Sequence, residues 1–596
     1  MISLSLKQKI IAGIAAVVVF LFAGFYALES CQPPGKADEI YKQALEDYRH
    51  EKYSNSYYLF SKVSFFSNLK PPAIFHQAEC AQKLGDKYTA VKRYTFLFKY
   101  YPRSKLSAKA QYSAAQLLVE TNPGLAQKYF DRISGKYPET DYAIASKYYS
   151  GLILKKSGKE GAAEHFRDYI IKAPSGRLAM SAVENWLALD EKANPHPGPL
   201  PGGEGEYQKL IKSDDYLLMA KTSYLFGDYA KTKQLLFHTT PEKSWVISAK
   251  NSYALKEYET AKSLILSGLS KYSKNVSEQD IYDAIDMYLN LLPSKEEALN
   301  RLSTVSARGN DYLLSLKCKT ATDKEACYTK LYKKYPNGNF SADALANIFF
   351  ERIRKNEDAQ KVGKEHLKKF PNSNSAPMVM YWLGKTGNRE YFKEVIQKYP
   401  DSYYAYRAYL QLEGKTSPII ADKLAEKPVV YPYKYPDSLI TKLVELNDYD
   451  ILSELYKDGF VKSWVLYKKG DYASSVWEAQ KAMDALSAKP DKYDYRWRLV
   501  YPLNYYDTVK KYAAAAGNHA PLMQSLMREE SHFDPNASSS VGARGLMQLM
   551  PATAQEVAQK YGLSGAANLA HPDVNIKLGT FYYGFLKSAI GHSISS

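Results

Sequence analysis

Prolines recur behind an aromatic or apolar residue at nearly constant intervals, and this spacing constrains the fold more than any other feature. In Tyr101-Pro102-Arg103-Ser104, Tyr137-Pro138-Glu139-Thr140 and Ala173-Pro174-Ser175 the prolines lie 36 residues apart, and each precedes a run rich in Ala, Tyr and Leu. Tyr335-Pro336-Asn337, Phe370-Pro371-Asn372-Ser373 and Tyr399-Pro400-Asp401-Ser402 form a second series with intervals of 35 and 29 residues. A proline ends one helix, and a small polar residue after it helps start the next. With 596 residues the chain is too long for one core, so an array in which each helix pair is buried by its neighbours is the economical solution.

A period near ~34 residues marks tetratricopeptide-like helix pairs. The chain therefore reads as all-α, with an α-superhelical solenoid of such pairs over 37–190 and 207–497. Between them, Asn194-Pro195-His196-Pro197-Gly198-Pro199-Leu200-Pro201-Gly202-Gly203-Glu204-Gly205 forbids regular helix, and 191–206 is expected to be an exposed linker. Repeat arrays are commonly interaction surfaces, so protein partners on the repeat surface are an expectation. Most of the 53 tyrosines are expected to pack between helices, with some free to stack on sugars.

The N-terminal residues 1–31 read as a signal or membrane anchor. Lys7 and Lys9 precede an uncharged run of 19 residues, Ile10 to Leu28, close to the ~20 needed to span a bilayer. Lysines held in the cytoplasm imply export of the remainder. A cleaved signal peptide is the alternative, and Leu28-Glu29-Ser30-Cys31 resembles a lipoprotein site that would acylate Cys31. The expected location is the periplasm or cell envelope, tethered to the inner membrane. The formal charge of +17 favours anionic surroundings without choosing among cell-wall polymers, lipid surfaces and nucleic acid.

Four cysteines do not make a disulfide scaffold. Cys318 and Cys327 are close enough to bridge in an oxidising compartment, leaving Cys80 free or buried. No Cys or His spacing suggests a metal site, and no cofactor is expected.

The chemistry is concentrated in PLMQSLMREESHFDPNASSSVGARGLMQLMP, Pro521 to Pro551, read as a helix, a loop and a second helix. At ~100° per residue, Leu522, Met523, Leu526, Met527 and Phe533 form one apolar stripe with Glu530 within roughly 20° of its centre. A core-facing carboxyl loses hydration of its charged form and keeps its proton, the state a general acid needs. Ser531 and Ser539 add small hydroxyls, while Gly542, Ala543 and Gly545 let a bulky ligand approach the backbone. Met547 and Gln548 supply a soft apolar contact and an amide suited to sugar hydroxyl and N-acetyl groups.

Glu530-Ser531, Ser539 and Gly542-Ala543-x-Gly545-Leu546-Met547-Gln548-x-Met550-Pro551 resemble the catalytic signature of soluble-type lytic transglycosylases. Tyr501-Pro502-Leu503 with Tyr505, and Asn575-Ile576-x-x-Gly579-Thr580-x-Tyr582, extend the likeness. The resemblance implies a goose-type lysozyme-like catalytic domain over 500–596 behind a helical superhelix, with peptidoglycan glycan strands as substrate and no nucleic-acid partner. It implies Glu530 as catalytic acid and base, with Ser531, Ser539, Gly545, Met547, Gln548 and Tyr582 at the sugar site. The family's Ala-Tyr-Asn-Ala-Gly segment has no counterpart before Ser596, so a C-terminally incomplete domain is expected.

Thr553-Ala554-Gln555-Glu556 has the form of a capping box for a helix reaching about Tyr561 and stopping at Gly562. Pro572 and Asp573 open another helix running to about Ala589. Glu556, Asp573 and Asp534 read as caps and turn formers, so no second catalytic carboxylate is expected. The family's course for a lone acid is protonation of the glycosidic oxygen, assistance by the sugar's N-acetyl carbonyl, and ring closure by its 6-hydroxyl to a 1,6-anhydro product. Two alternatives stay open: a lysozyme-like hydrolase using water, and a membrane-anchored repeat scaffold with an inactive catalytic domain.

Overall fold

The computed structural model describes residues 36–590 other than 194–210, 307, 401, 414–428, 430–437, 457, 488–489, 491–493 and 540. The expected membrane segment with Cys31, and the Pro/Gly-rich linker from Asn194 onward, lie outside the described residues. Among those described, no helix is long and apolar enough to cross a membrane. The described chain is all-helical, its only β pairing being the isolated bridges Ser538 to Arg544 and Arg544 to Leu549.

The proline periodicity works through the residue before each proline. Tyr101, Tyr137, Ala173, Tyr335 and Phe370 are all helix C-caps, with φ between −121° and −140° and ψ between 50° and 64°. Clash with the proline ring keeps that residue out of the helical region, so the helix stops there. Restart differs from case to case. Thr140 caps the Asp141–Lys156 helix by accepting from the Ala143 N–H. After Pro102, by contrast, the chain turns through 102–106 before Ser107–Leu118 begins.

The chain divides into two compact units. One holds the described residues of 86–103 and 107–391, the other those of 36–85, 104–106 and 392–590. In the first, the core is a succession of local clusters. Tyr112, Phe130 and Ile133 give way to Phe166, Trp186 and Tyr216, then to Trp245, Ile265 and Tyr288, and on to Tyr328 and Leu345, and to Phe349 and Leu383. Each cluster is closed by helices adjacent in sequence, as in a stacked array. Trp186 and Tyr216 share a cluster, so the packing continues across 194–210. The Cys318–Cys327 disulfide forms with a Cα–Cα separation of 5.3 Å, and Cys80 is free and buried.

The second unit joins chain segments far apart in sequence. Asp448 caps the Tyr449–Leu455 helix through the Ile451 N–H and also accepts from the Tyr41 hydroxyl, 407 residues away. His76 lies between Asp448 Oδ2 at 3.0 Å and Glu79 Oε2 at 2.9 Å, with Phe60 stacked on its ring at 4.9 Å. Lys442 pairs with Asp38 beside it at 2.7 Å. The helices of 36–83 are thereby latched to the helices after residue 438.

Candidate functional site

Residues 506–590 form four helices, Tyr506–Ala515, Ala520–Ser531, Pro551–Tyr561 and Pro572–Ile590. One core joins Tyr506, Val509, Met523, Met527, Phe533, Leu546, Met547 and Ile576, and extends to Val476 on the preceding Tyr472–Asp484 helix. A second gathers Leu549, Val557, Leu569 and Leu578, with Tyr582 half-buried against it. Pro551 opens its helix with Met550 as N-cap. Thr553 therefore lies inside the first turn rather than capping it, because proline suits the first helical position. Gly562 ends the helix at φ +63°, and Pro572 opens the last helix as expected. Among the described residues no second helix lies within 521–550; those from 532 to 550 form a loop carrying the β-bridges.

The Ala520–Ser531 helix buries Met523, Gln524, Met527 and Ser531. This face is rotated by most of one residue step from the expected stripe: Leu522 is 44% exposed and Glu530 is exposed, not core-facing. Buried polar partners cause the rotation. Gln524 Nε2 donates to the Pro502 and Asn504 carbonyls, and Ser531 Oγ donates to the Leu546 carbonyl at 2.7 Å. A satisfied polar group is cheap to bury, and these bonds fix which side turns inward. Glu530 has no hydrogen bond or ion pair with any described residue. Glu529 pairs with Arg528, whose other donors reach the Val500 carbonyl and Gln480 Oε1, both at 2.9 Å.

Immediately after Ser531 the backbone takes left-handed values at two non-glycine residues, His532 at φ 50° and Phe533 at φ 69°; Gln548 is a third at φ 43°. Such conformations cost ~1–3 kcal/mol each and persist only where the surroundings impose them. Here Ser531 Oγ accepts from the Phe533 N–H, and Phe533 is fully buried. Gln548 Nε2 donates to the Ala537 and Gly545 carbonyls. Gly545, at φ 76°, sits where a Cβ would fall 2.2 Å from the Leu569 carbonyl oxygen. Ser539 closes a tight turn, its Oγ accepting from Ala543 N–H and its carbonyl from Gly542 N–H.

Asn575, fully buried, ties these pieces together. Its Oδ1 accepts from Met547 N–H at 2.7 Å, and its Nδ2 donates to the Arg544 and Leu569 carbonyls, both at 2.9 Å. Met547 is buried, and Gly579 makes room for its side chain: a Cβ there would lie 2.6 Å from Met547 Sδ.

Ser531, at the helix end, and Gly545 and Met547, within the loop, are thus buried. Ser539 and Gln548 are half-buried with their polar groups engaged locally, and Tyr582 packs on the second core. Glu530 alone of the expected site residues is both exposed and uncommitted. Asp573 accepts from the Tyr512 hydroxyl at 2.7 Å, and Asp534 accepts from the Asn536 N–H.

Two residues beside the site carry no mark in the loop signature. Trp477 is 65% exposed and meets the His532 ring edge-on at 6.1 Å. His532 itself is held below its ordinary pKa by burial and by the nearby Arg528 charge. Trp477 is legible only as an aromatic one step off the buried Val476, Ala479 and Met483 stripe.

With this geometry in view, comparison with known proteins is decisive for one stretch, since a family model for the transglycosylase SLT domain matches residues 507–595. Residues 507–595 form an SLT domain. The soluble lytic murein transglycosylase of Escherichia coli K12 is 33% identical over 96 residues, 16% of this chain and 15% of that protein. The membrane-bound lytic murein transglycosylase C of Haemophilus ducreyi is 36% identical over 88 residues, 14% of this chain and 24% of that protein. The chain's match thus spans well under a third of either relative's length. The crystal structure of the 70 kDa soluble lytic transglycosylase from Escherichia coli aligns over 94% of this chain and 88% of that one, with a TM-score of 0.48 and 15% identity. Within this stretch Ser531, Gly545 and Met547 are buried while Glu530 is exposed on the helix that Ser531 ends.

Proposed function

We propose that this chain is a peptidoglycan lytic transglycosylase, cleaving the β-1,4 bond from N-acetylmuramic acid to N-acetylglucosamine with formation of 1,6-anhydromuramic acid. The observation that carries the reading is Glu530: an exposed carboxyl free of partners among the described residues, at the end of a helix fixed by Ser531, inside an SLT domain.

In this reading protonated Glu530 gives its proton to the glycosidic oxygen as the bond to C1 breaks, and the sugar's N-acetyl carbonyl oxygen assists at C1. The resulting carboxylate takes the proton of the 6-hydroxyl as that oxygen closes on C1. Intramolecular attack gains from a high effective concentration, so one acid suffices where two-carboxylate glycosidases need a pair. Because Glu530 is exposed in the free protein, the bound strand itself must supply the dry surroundings. Ser539, Gln548 and Tyr582 are the expected residues still partly accessible to sugar, with Ser531, Gly545 and Met547 holding the loop behind them. The reading includes the division into repeats over 37–190 and 207–497 and a catalytic domain over 500–596. It also includes a cell-envelope location, tethered through residues 10–28 or a lipidated Cys31, with protein partners on the repeats.

Turnover of purified peptidoglycan by the parent chain and by Glu530→Gln tests it. Loss of at least a hundredfold in rate with an unchanged melting temperature is expected, and equal rates would sink the enzyme reading. The exposure of Glu530 favours one second reading, hydrolysis by water. Mass analysis of the released ends separates the two, since the anhydro product is lighter by one water.

A further inference from the structure

Between the 535–545 part of the loop and residues 567–570 lies a cavity of about 320 Å³. Four polar side chains line it, those of Asn536, Ser538, Arg544 and Asn568, and all four residues are exposed. None of these side chains has a hydrogen bond or ion pair with any described residue. Among the described residues of the wall there is no Asp or Glu, and Arg544 carries its one charge.

The backbone of Arg544 is held on both sides while its guanidinium stays uncommitted. Both isolated β-bridges meet there, one to Ser538 and one to Leu549. Its N–H donates to the Leu549 carbonyl at 2.9 Å, and its own carbonyl accepts from the Leu549 N–H and from Asn575 Nδ2. A side chain mounted on a fixed backbone loses less freedom on binding than one on a loop that must first be ordered. The cavity also adjoins the signature directly, because Gln548 Nε2 donates to the carbonyls of Ala537 and Gly545, two residues of its wall.

These groups define an occupant. A planar guanidinium that no protein carboxylate neutralises takes a carboxylate in a forked pair. The two amides and the hydroxyl beside it suit the hydroxyl and amide groups of a polar ligand, and a volume near ~300 Å³ holds a small unit rather than a strand. On the peptidoglycan reading, which this assignment needs for its choice of ligand, only one of the two alternating sugars bears an acid. N-acetylmuramic acid carries a lactyl carboxylate, free on a stripped strand and replaced on a peptide-bearing one by the carboxylates of the stem; N-acetylglucosamine carries none. We propose that this cavity binds the carboxylate borne by the lactyl arm of N-acetylmuramic acid, and that Arg544 is the residue by which the protein tells the two sugars apart.

Calorimetric titration of the full chain carrying Glu530→Gln, at low ionic strength, tests the assignment without turnover. N-acetylmuramic acid or N-acetylmuramoyl-alanine is expected to bind about fivefold more tightly than N-acetylglucosamine, the upper end for an exposed ion pair. The first as the tighter acid places the bound carboxylate on the lactyl group, the second on the stem. Adding Arg544→Gln is expected to bring the ratio of acid to neutral sugar to about one at an unchanged melting temperature, since the guanidinium has no described partner to lose. Ala567→Trp, which fills the cavity from an exposed wall position, is expected to abolish binding of both acids. Equal affinity for acid and neutral sugar before Arg544 is changed, a preference that survives Arg544→Gln, or acid binding undiminished by Ala567→Trp would overturn the proposal. Turnover of peptidoglycan by Glu530→Gln decides the enzyme reading separately, because these affinities are measured on a chain that already lacks that carboxyl.

Discussion

Asn575 shows how much one side chain fixes in the SLT domain. It satisfies the Met547 N–H and the Arg544 and Leu569 carbonyls from a fully buried position. Replacing it by Leu strands three backbone groups at ~1–3 kcal/mol each. Asn575→Leu is therefore expected to lose at least ~3 kcal/mol in chemical denaturation, and Asn575→Asp to lose more, because an oxygen would then face two carbonyl oxygens. An Asn575→Leu protein as stable as the parent would refute the pinning role. Trp477 calls for the opposite outcome: exposed beside His532, it offers a flat face for a sugar ring. Trp477→Ala is expected to raise KM on glycan strands about fivefold, worth ~1 kcal/mol, with kcat and melting temperature nearly unchanged. A fall in kcat at constant KM would count against a binding role. At this scale the candidate residues could be picked from the sequence, but their placement could not. Glu530 was legible from its motif, but its exposure was not, because hydrophobic periodicity cannot weigh Gln524 and Ser531, which turn inward on the strength of carbonyls supplied by other segments.

Helix ends are where local chemistry read most clearly. Each pre-proline C-cap follows from a steric rule acting on neighbouring residues, which is why these helix ends were visible without any tertiary information. The latch among Tyr41, His76, Glu79 and Asp448 was invisible for the converse reason, since its partners are hundreds of residues apart. Its electrostatics give a pH dependence. Burial alone would lower the His76 pKa, but the charge of Asp448 and its hydrogen bond, joined by Glu79, outweigh that and raise it from 6.5 to about 10. A group with a raised folded-state pKa contributes stability that is complete below its unfolded value and lost as pH climbs through the folded one. Thermal melts of this unit are expected to weaken between pH 6.5 and about 10. Asp448 is held below the usual carboxylate range because His76 overcomes the effect of burial, so its contribution disappears toward acid. In His76→Phe the alkaline loss should be absent; if it persists there, another group is responsible.

For the molecule as a whole, the charge of +17 predicts attraction to an anionic polymer that salt can screen. Sedimentation with purified sacculi is expected to show tighter binding at ~0.01 M ionic strength, where the Debye length is ~30 Å, than at ~0.15 M, where it is ~8 Å. Insensitivity to salt would place the binding energy in contacts other than charge. The division into two units was not readable from composition. The linker signal at 194–205 falls between helices that pack together, whereas the observed division follows long-range pairings. The latch also sets an order of events during synthesis. Tyr41 cannot meet Asp448 until 407 more residues have been made, roughly 20–80 s at ~5–20 residues per second. Through that interval Tyr41 and His76 lack the partner that Asp448 gives them in the folded chain.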